Sequence, residues 1–235
     1  MSERPPALEL LGAHAAYGDI EVLHGVDLTV PAGSVVALLG PNGAGKSTTM
    51  KTLNGQVPLS AGRLRIAGRD LTGISPVDAA ALGVCTIPEG RGVFANLTVR
   101  ENLMVAAGNR ATLAEMEAAA YARFPKLGDR RGQLAGSMSG GEQQMLALCR
   151  ALGTRPSVLL LDELSMGLAP MIVSQMYTVV AALAAEGITV LLAEQFARIV
   201  LPLADTAVLM VNGRVVRTGA PADLEEALST TYLGG

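Results

Sequence analysis

The chain has 235 residues, half of them hydrophobic, enough for one large domain with a sizeable core. Aromatic residues make up 3% and tryptophan is absent, so that core must be aliphatic. A net charge of −3 with no Lys/Arg cluster argues against a nucleic-acid partner.

The opening segment, residues 1–10, holds no long apolar run, so no signal peptide is visible. Residues 8–30 and 62–68 read as short strands with turn signals, a small antiparallel layer beside a larger core. Four nearly continuous apolar runs follow the pattern of strands buried on both faces of a parallel sheet: Ser34–Gly40, Gly83–Glu89, Ser157–Glu163 and Ile188–Glu194. Helical patterns lie between and after them, at Lys46–Asn54, Met171–Glu186 and Phe196–Leu203. This alternation predicts an α/β core. Residues 98–153 carry no strand signal and read as helices, which places a helical insertion there. The whole reads as one unit over 1–235, with a core at 1–90 and 154–235 and a helical subdomain at 91–153. Apolar runs such as Val158–Leu161 are far shorter than the roughly 20 residues that span a bilayer. The chain reads as soluble, and work at a membrane would need another chain to cross it. Cys85 and Cys149 lack metal-ligand spacing and sit in apolar runs, as buried thiols do in a reducing compartment.

Gly40-Pro41-Asn42-Gly43-Ala44-Gly45-Lys46-Ser47-Thr48 fits the phosphate-loop pattern, after an apolar strand and before a helix. Backbone N–H groups of such a loop wrap phosphates, and the helix N-terminus adds its dipole. Lys46 is placed to reach the β- and γ-phosphates of a nucleotide, and the Ser47 hydroxyl to ligate Mg2+. Asp162 and Glu163 close a buried apolar strand. Asp162 suits the metal role, and Glu163 could orient or deprotonate an attacking water.

The segment from Ser137 to Leu152 poses a question. Ser139 and Glu142 form a capping box, yet the helix behind them opens on Gly140 and Gly141. A glycine costs about 1 kcal/mol relative to alanine inside a helix. Bare N–H groups at a positive helix end let an anion approach closely, so the segment reads as a second phosphate-binding surface. Ser139 would accept an N–H bond and turn its own proton outward to a phosphate oxygen.

These three motifs, in this order and spacing, resemble the nucleotide-binding domain of ATP-binding cassette (ABC) proteins over essentially the whole chain. The resemblance implies a P-loop NTPase fold with a RecA-like core, an antiparallel β layer and a helical subdomain. It implies ATP and Mg2+ as ligands and ATP hydrolysis as the activity. It implies a second cassette paired head to tail, so that Ser139, Gly140 and Gly141 complete the ATP site of the opposite protomer. By the same resemblance Tyr17 matches the residue that stacks on adenine, and Glu89 stands where most of the family has a glutamine touching Mg2+. Leu164 and Ala169 depart from the usual proline and aspartate of the loop after the catalytic carboxylate. Gln195 stands where a histidine usually contacts the γ-phosphate. The only histidines, His14 and His24, precede the phosphate loop.

Glu89 with its following residues, the Ser139 helix start, Gly167–Pro170, Gln195 and the terminal 232–235 together resemble the ATP-binding subunits of branched-chain amino acid importers. Urea and short-amide importers share much the same motifs. The resemblance implies two permease subunits, docked in a groove between core and helical insertion with residues 89–105 as a wall. It also implies a substrate-binding protein acting through the permeases, a place on the cytoplasmic face of the membrane, and no nucleic acid. The alternatives are less well matched. Translation-associated cassettes usually carry two cassettes and basic surfaces. The span between Lys46 and Ser139 is too short for the long coiled coil of chromosome and repair ATPases.

Overall fold

The computed structural model describes residues 4–90, 92–107 and 112–225. The chain opens with two long antiparallel strands, β1 (Leu8–Tyr17) and β2 (Ile20–Val30), followed by β3 (Val35–Leu39). The phosphate loop leads from β3 into helix α1 (Lys46–Leu53). Next come β4 (Leu59–Ile66), the short β5 (Arg69–Asp70), α2 (Pro76–Ala81) and β6 (Val84–Ile87). Four helices then run in succession: α3 (Val99–Ala107), α4 (Leu113–Arg123), α5 (Pro125–Asp129) and α6 (Gly140–Gly153). The chain returns through β7 (Val158–Asp162), α7 (Pro170–Ala185) and β8 (Thr189–Glu194). A short α8 (Ala197–Val200) precedes β9 (Thr206–Val211) and β10 (Arg214–Gly219).

The strands form two sheets. One is antiparallel, in the order β2-β1-β4-β5, and the other has the order β10-β9-β3-β8-β7-β6. In the second, β6, β7, β8, β3 and β9 are mutually parallel and β10 runs against β9. Every residue of β3, β7 and β8 is buried, as expected of strands covered on both faces. Their alternation splits the core. Val35, Ala37 and Leu39 join the cluster that includes the helical side chains Leu103, Met145 and Leu148. Val36 and Leu38 face the other way, into a cluster with Leu10, Leu23 and, from α1, Met50 and Leu53. Helix α1 is therefore held between the two sheets, and the loop before it is fixed from both sides.

The hairpin β9–β10 is not among the elements read from sequence. Its signal is Asn212-Gly213 between two apolar runs, the commonest sequence for a two-residue turn. Both residues take the positive φ that such a turn requires, 47° and 72°. The predicted helix Phe196–Leu203 is shorter than expected. It is α8 followed by a 3-10 turn at Leu201–Leu203, where Pro202 lacks the N–H for another α-helical bond. Residues 98–153 hold α3 to α6, and among the described residues their only strand-like pairing is an isolated bridge between Thr98 and Leu134. Among the described residues no helix is long and apolar enough to cross a membrane. The terminal residues 232–235, used in the motif reading, lie outside the described segments.

Candidate functional site

The phosphate loop is shaped by close approach. A side chain at Gly40 would place a Cβ 2.4 Å from the Met210 carbonyl oxygen of β9, so nothing larger than glycine fits there. The loop is also tied from outside, since the Gly213 N–H donates to the Ala44 carbonyl at 2.9 Å. The hairpin missed in the sequence thus braces the loop that the sequence announced. Gly45 then caps α1 in the left-handed region, at φ 102°.

Lys46 is 4% exposed. Its Nζ donates to the carbonyl oxygens of Gly40 (3.0 Å) and Pro41 (3.2 Å) and lies 3.5 Å from Glu163 Oε1. Two motifs more than a hundred residues apart in sequence therefore meet at one ion pair. Glu163 holds φ at 48°, unusual for a non-glycine residue. Its N–H donates to Ala193 O at 2.9 Å, so β8 supports the turn. Such backbone strain costs on the order of 1–3 kcal/mol and collects at functional sites.

Asp162 ends β7 and is 6% exposed. Burial pushes its carboxyl above the usual carboxylate range. The Ser47 hydroxyl bond and the Lys46 charge oppose that rise, while the Glu163 and Glu89 charges add to it. Its Oδ1 is buried with no hydrogen-bond partner. An orphaned carboxylate oxygen beside a hydroxyl is the hard-oxygen donor set that suits Mg2+. Among the described residues no three His, Cys, Asp or Glu side chains form a metal cage. Mg2+ is usually held by one or two protein ligands together with water and phosphate.

A cleft of about 350 Å³ opens over these groups. Asp162 lies beneath it without lining it; the walls are Asn42, Gly43 and Gly45 to Thr48 of the loop and helix start, Glu89 and Glu163, and Val22 and Met166. The last two were not singled out in the sequence, since a valine on β2 and a methionine in a loop carry no chemical signature. Tyr17 does not line the cleft. It ends β1 opposite Ile20 and is 46% exposed. Gln195, half-buried just after β8, and the Ser139–Gly141 turn do not line it either.

The Ser139 turn answers only part of the sequence question. Its capping box is present, with the Glu142 N–H to Ser139 Oγ at 3.4 Å and the Ser139 N–H to Glu142 Oε2 at 3.0 Å. The expectation that Ser139 turns its proton outward does not hold here, because the hydroxyl donates to Glu142 Oε2 at 2.9 Å. Burial pushes the Glu142 carboxyl up. The Ser139 bonds and the nearby Arg130 and Lys126 outweigh that and leave it below the usual range. Gly141 has a reason within the chain itself. A Cβ there would stand 2.6 Å from Ile172 Cγ2, so the glycine lets α6 enter tightly against α7. Close helix packing is thus a reason for glycine at 141 within the chain, beside the phosphate-binding reason read from the sequence.

A second depression of about 230 Å³ lies where β6 meets α3 and α6, lined in part by Cys85, Pro88, Gly92, Ala106 and Arg150. Arg150 donates to the Gly92 carbonyl and its guanidinium sits 4.5 Å from the Phe94 ring centroid. Of the described residues of the expected 89–105 wall, only Gly92 lines it. Both thiols are free; Cys149 is buried as expected, and burial raises it to about 12, while Cys85 is only half-buried and borders the depression.

Comparisons with known proteins identify the family. A family model described as ABC transporter matches residues 23–165. The high-affinity branched-chain amino acid transport ATP-binding protein BraG of Pseudomonas aeruginosa is 43% identical over 223 residues, 93% of this chain and 96% of that protein. A probable branched-chain amino acid transport ATP-binding protein, LivF of Archaeoglobus fulgidus, is 35% identical over 222 residues, 93% and 94% of the two chains. A crystal structure of an ABC transporter cassette in its ADP conformation superposes with a TM-score of 0.84 at 26% identity, covering 98% of this chain and 99% of that one. The matched stretch holds the phosphate loop, the Ser139 turn and the β7 carboxylates together, so the chain belongs to the ABC transporter family and is one of its ATPases.

Proposed function

We propose that this chain is the ATP-hydrolysing subunit of an importer for branched-chain amino acids. The observation that carries this reading is the near full-length likeness to BraG. The chain would act peripherally at the cytoplasmic face of the membrane, with a second cassette and two permease subunits. A substrate-binding protein outside the membrane would act through the permeases, and no nucleic acid is involved. Within the chain, 91–153 would act as a helical subdomain against a core of 1–90 and 154–235. The depression beside Arg150 would receive the permease.

The residues divide the work as follows. Lys46 binds the β- and γ-phosphates, leaving its ion pair with Glu163 as it does so. Backbone N–H groups from Asn42 to Thr48 hold the phosphate oxygens. Ser47 and Asp162 hold Mg2+, with Glu89 beside them. When bound, Mg2+ neutralises charge on the β- and γ-phosphate oxygens. Glu163 orients the attacking water and accepts its proton. Gln195 donates its amide N–H to the γ-phosphate, a contact that carries no charge and does not titrate between pH 5 and 8. Tyr17 stacks on adenine. Ser139, Gly140 and Gly141 serve the site of the opposite protomer. Their position away from this chain's own cleft supports that arrangement.

The test is co-purification from the source membrane. Recovery of a second cassette and two permeases, with ATPase activity stimulated by leucine-loaded binding protein, is the expected result. Stimulation by urea or a short amide instead would move the substrate, and purification without membrane proteins would remove transport.

A further inference from the structure

Glu194 ends β8 and is 2% exposed, which is rare for a carboxylate unless it is well paired. Its Oε1 accepts the Ser165 N–H at 3.0 Å, and its Oε2 accepts the Ser165 hydroxyl at 2.9 Å. The Tyr177 hydroxyl, from α7, also donates to Oε1. Burial, and then the Glu194 charge, push the Tyr177 phenol far above its ordinary value, so it remains protonated and donating. Ser165 and Tyr177 are themselves buried, at 8% and 4% exposure.

These bonds act on a short segment. Ser165 lies two residues beyond Glu163, and one before Met166, which lines the nucleotide cleft. The Glu163 N–H is fixed to Ala193 O, next to Glu194 on the same strand. Glu163, with its φ of 48°, therefore has an anchor on β8 at its own N–H and another two residues on. A buried carboxylate with several donors is a poor way to gain stability compared with packed apolar side chains. It is a good way to hold a backbone turn in one place, because each bond to it is charge-assisted and directional.

We propose that Glu194 is a positioning residue for ATP hydrolysis. Through Ser165 and Tyr177 it clamps the Glu163–Met166 segment between β8 and α7, which keeps the Glu163 carboxylate at the cleft. The proposal rests on the reading of Glu163 as the hydrolytic carboxylate. It extends the machinery to a carboxylate that does not line the nucleotide cleft.

The test uses the full chain in its assembled cassette pair with MgATP, with rates normalised to the protein that binds a fluorescent ATP analogue. Glu194→Gln removes the negative charge that makes these bonds charge-assisted, and Ser165→Ala removes the hydroxyl donor. Each should lower kcat about ten- to hundred-fold, the effect of one charge-assisted bond spent on the transition state. KM for ATP should move less than about two-fold, because ground-state binding is untouched. Ser165→Thr keeps the hydroxyl and should recover most of the rate. If Glu194→Gln does not fold, the Ser165→Ala and Ser165→Thr pair carries the test. Wild-type kcat in Ser165→Ala, or no recovery in Ser165→Thr, overturns the proposal. A rise in KM that accounts for the whole loss overturns it as well. Glu163→Gln is run in parallel. If it hydrolyses normally, the reading of Glu163 falls and the clamp falls with it. If it is inactive while Glu194→Gln and Ser165→Ala turn over normally, only the clamp is overturned.

Discussion

Lys46 Nζ lies 3.5 Å from Glu163 Oε1, and the two side chains are 4% and 13% exposed. The ammonium is held at the root of the phosphate loop by the Gly40 and Pro41 carbonyls and at its far side by the carboxylate after β7. In the proposed mechanism, phosphate binding competes for the same cation, so ATP entry would release Glu163.

Lys46→Ala removes that cation. Loss of charge-assisted bonds worth about 1.5–3 kcal/mol should weaken ATP binding roughly ten- to hundred-fold and leave no measurable hydrolysis. Fluorescent-nucleotide titration and phosphate release read both effects. Normal turnover would remove the phosphate-loop lysine from the mechanism.

Glu163→Gln keeps the shape and loses the base. It should bind MgATP with wild-type affinity or better and hydrolyse it very slowly, because an amide cannot take a proton from water. Trapped ATP should then hold two cassettes together, which sedimentation with and without MgATP can detect. A monomeric profile in the presence of the partner cassette counts against shared sites.

Ser139→Arg tests the trans role. The residue is exposed, so the larger side chain has room, and loss of the cap costs only about 1 kcal/mol. ATP binding to the monomer should be unchanged and activity of the assembled pair abolished. Equal loss of affinity in the monomer would place Ser139 in its own chain's site.

Asp162→Asn should stabilise the protein while disabling it. Burial raises the folded-state pKa above the ordinary aspartate value, so the folded chain binds the proton more tightly than the unfolded one. Stability from this group is full below about pH 4 and is lost as pH rises through the folded pKa. In nucleotide-free buffer the wild type should therefore lose Tm relative to the variant as pH rises above about 4. Mg2+-dependent ATPase should vanish in the variant. A variant that is less stable than wild type at neutral pH would contradict the burial argument.

Gly141→Ala separates packing from chemistry. The new methyl meets Ile172, and overpacking of this kind costs about 1–3 kcal/mol. Thermal melts should show the loss, and adding Ile172→Ala should restore much of it. If the second substitution brings ATPase back as well, the glycine serves the helix contact. If stability returns and activity does not, bare backbone at this position is needed for the nucleotide.

The sequence alone determined the parts that depend on short-range pattern. Continuous apolar runs at β3, β7 and β8 mark strands buried on both faces, and Gly40–Thr48 with Asp162-Glu163 marks nucleotide chemistry, because each needs fixed residue types at fixed spacing. The tertiary structure decided what depends on distant segments meeting. Gly213 bracing Ala44, Gly141 making room for Ile172 and Glu194 holding Ser165 join residues whose separation in sequence carries no periodic signal. A buried glutamate in an apolar strand could have raised the question of a partner, but only the packing of β8 against the loop after β7 and against α7 names Ser165 and Tyr177. Hydrogen bonds and close contacts are properties of pairs, and the chain specifies which pairs form only once hydrophobic burial has brought the two sheets and the helices together.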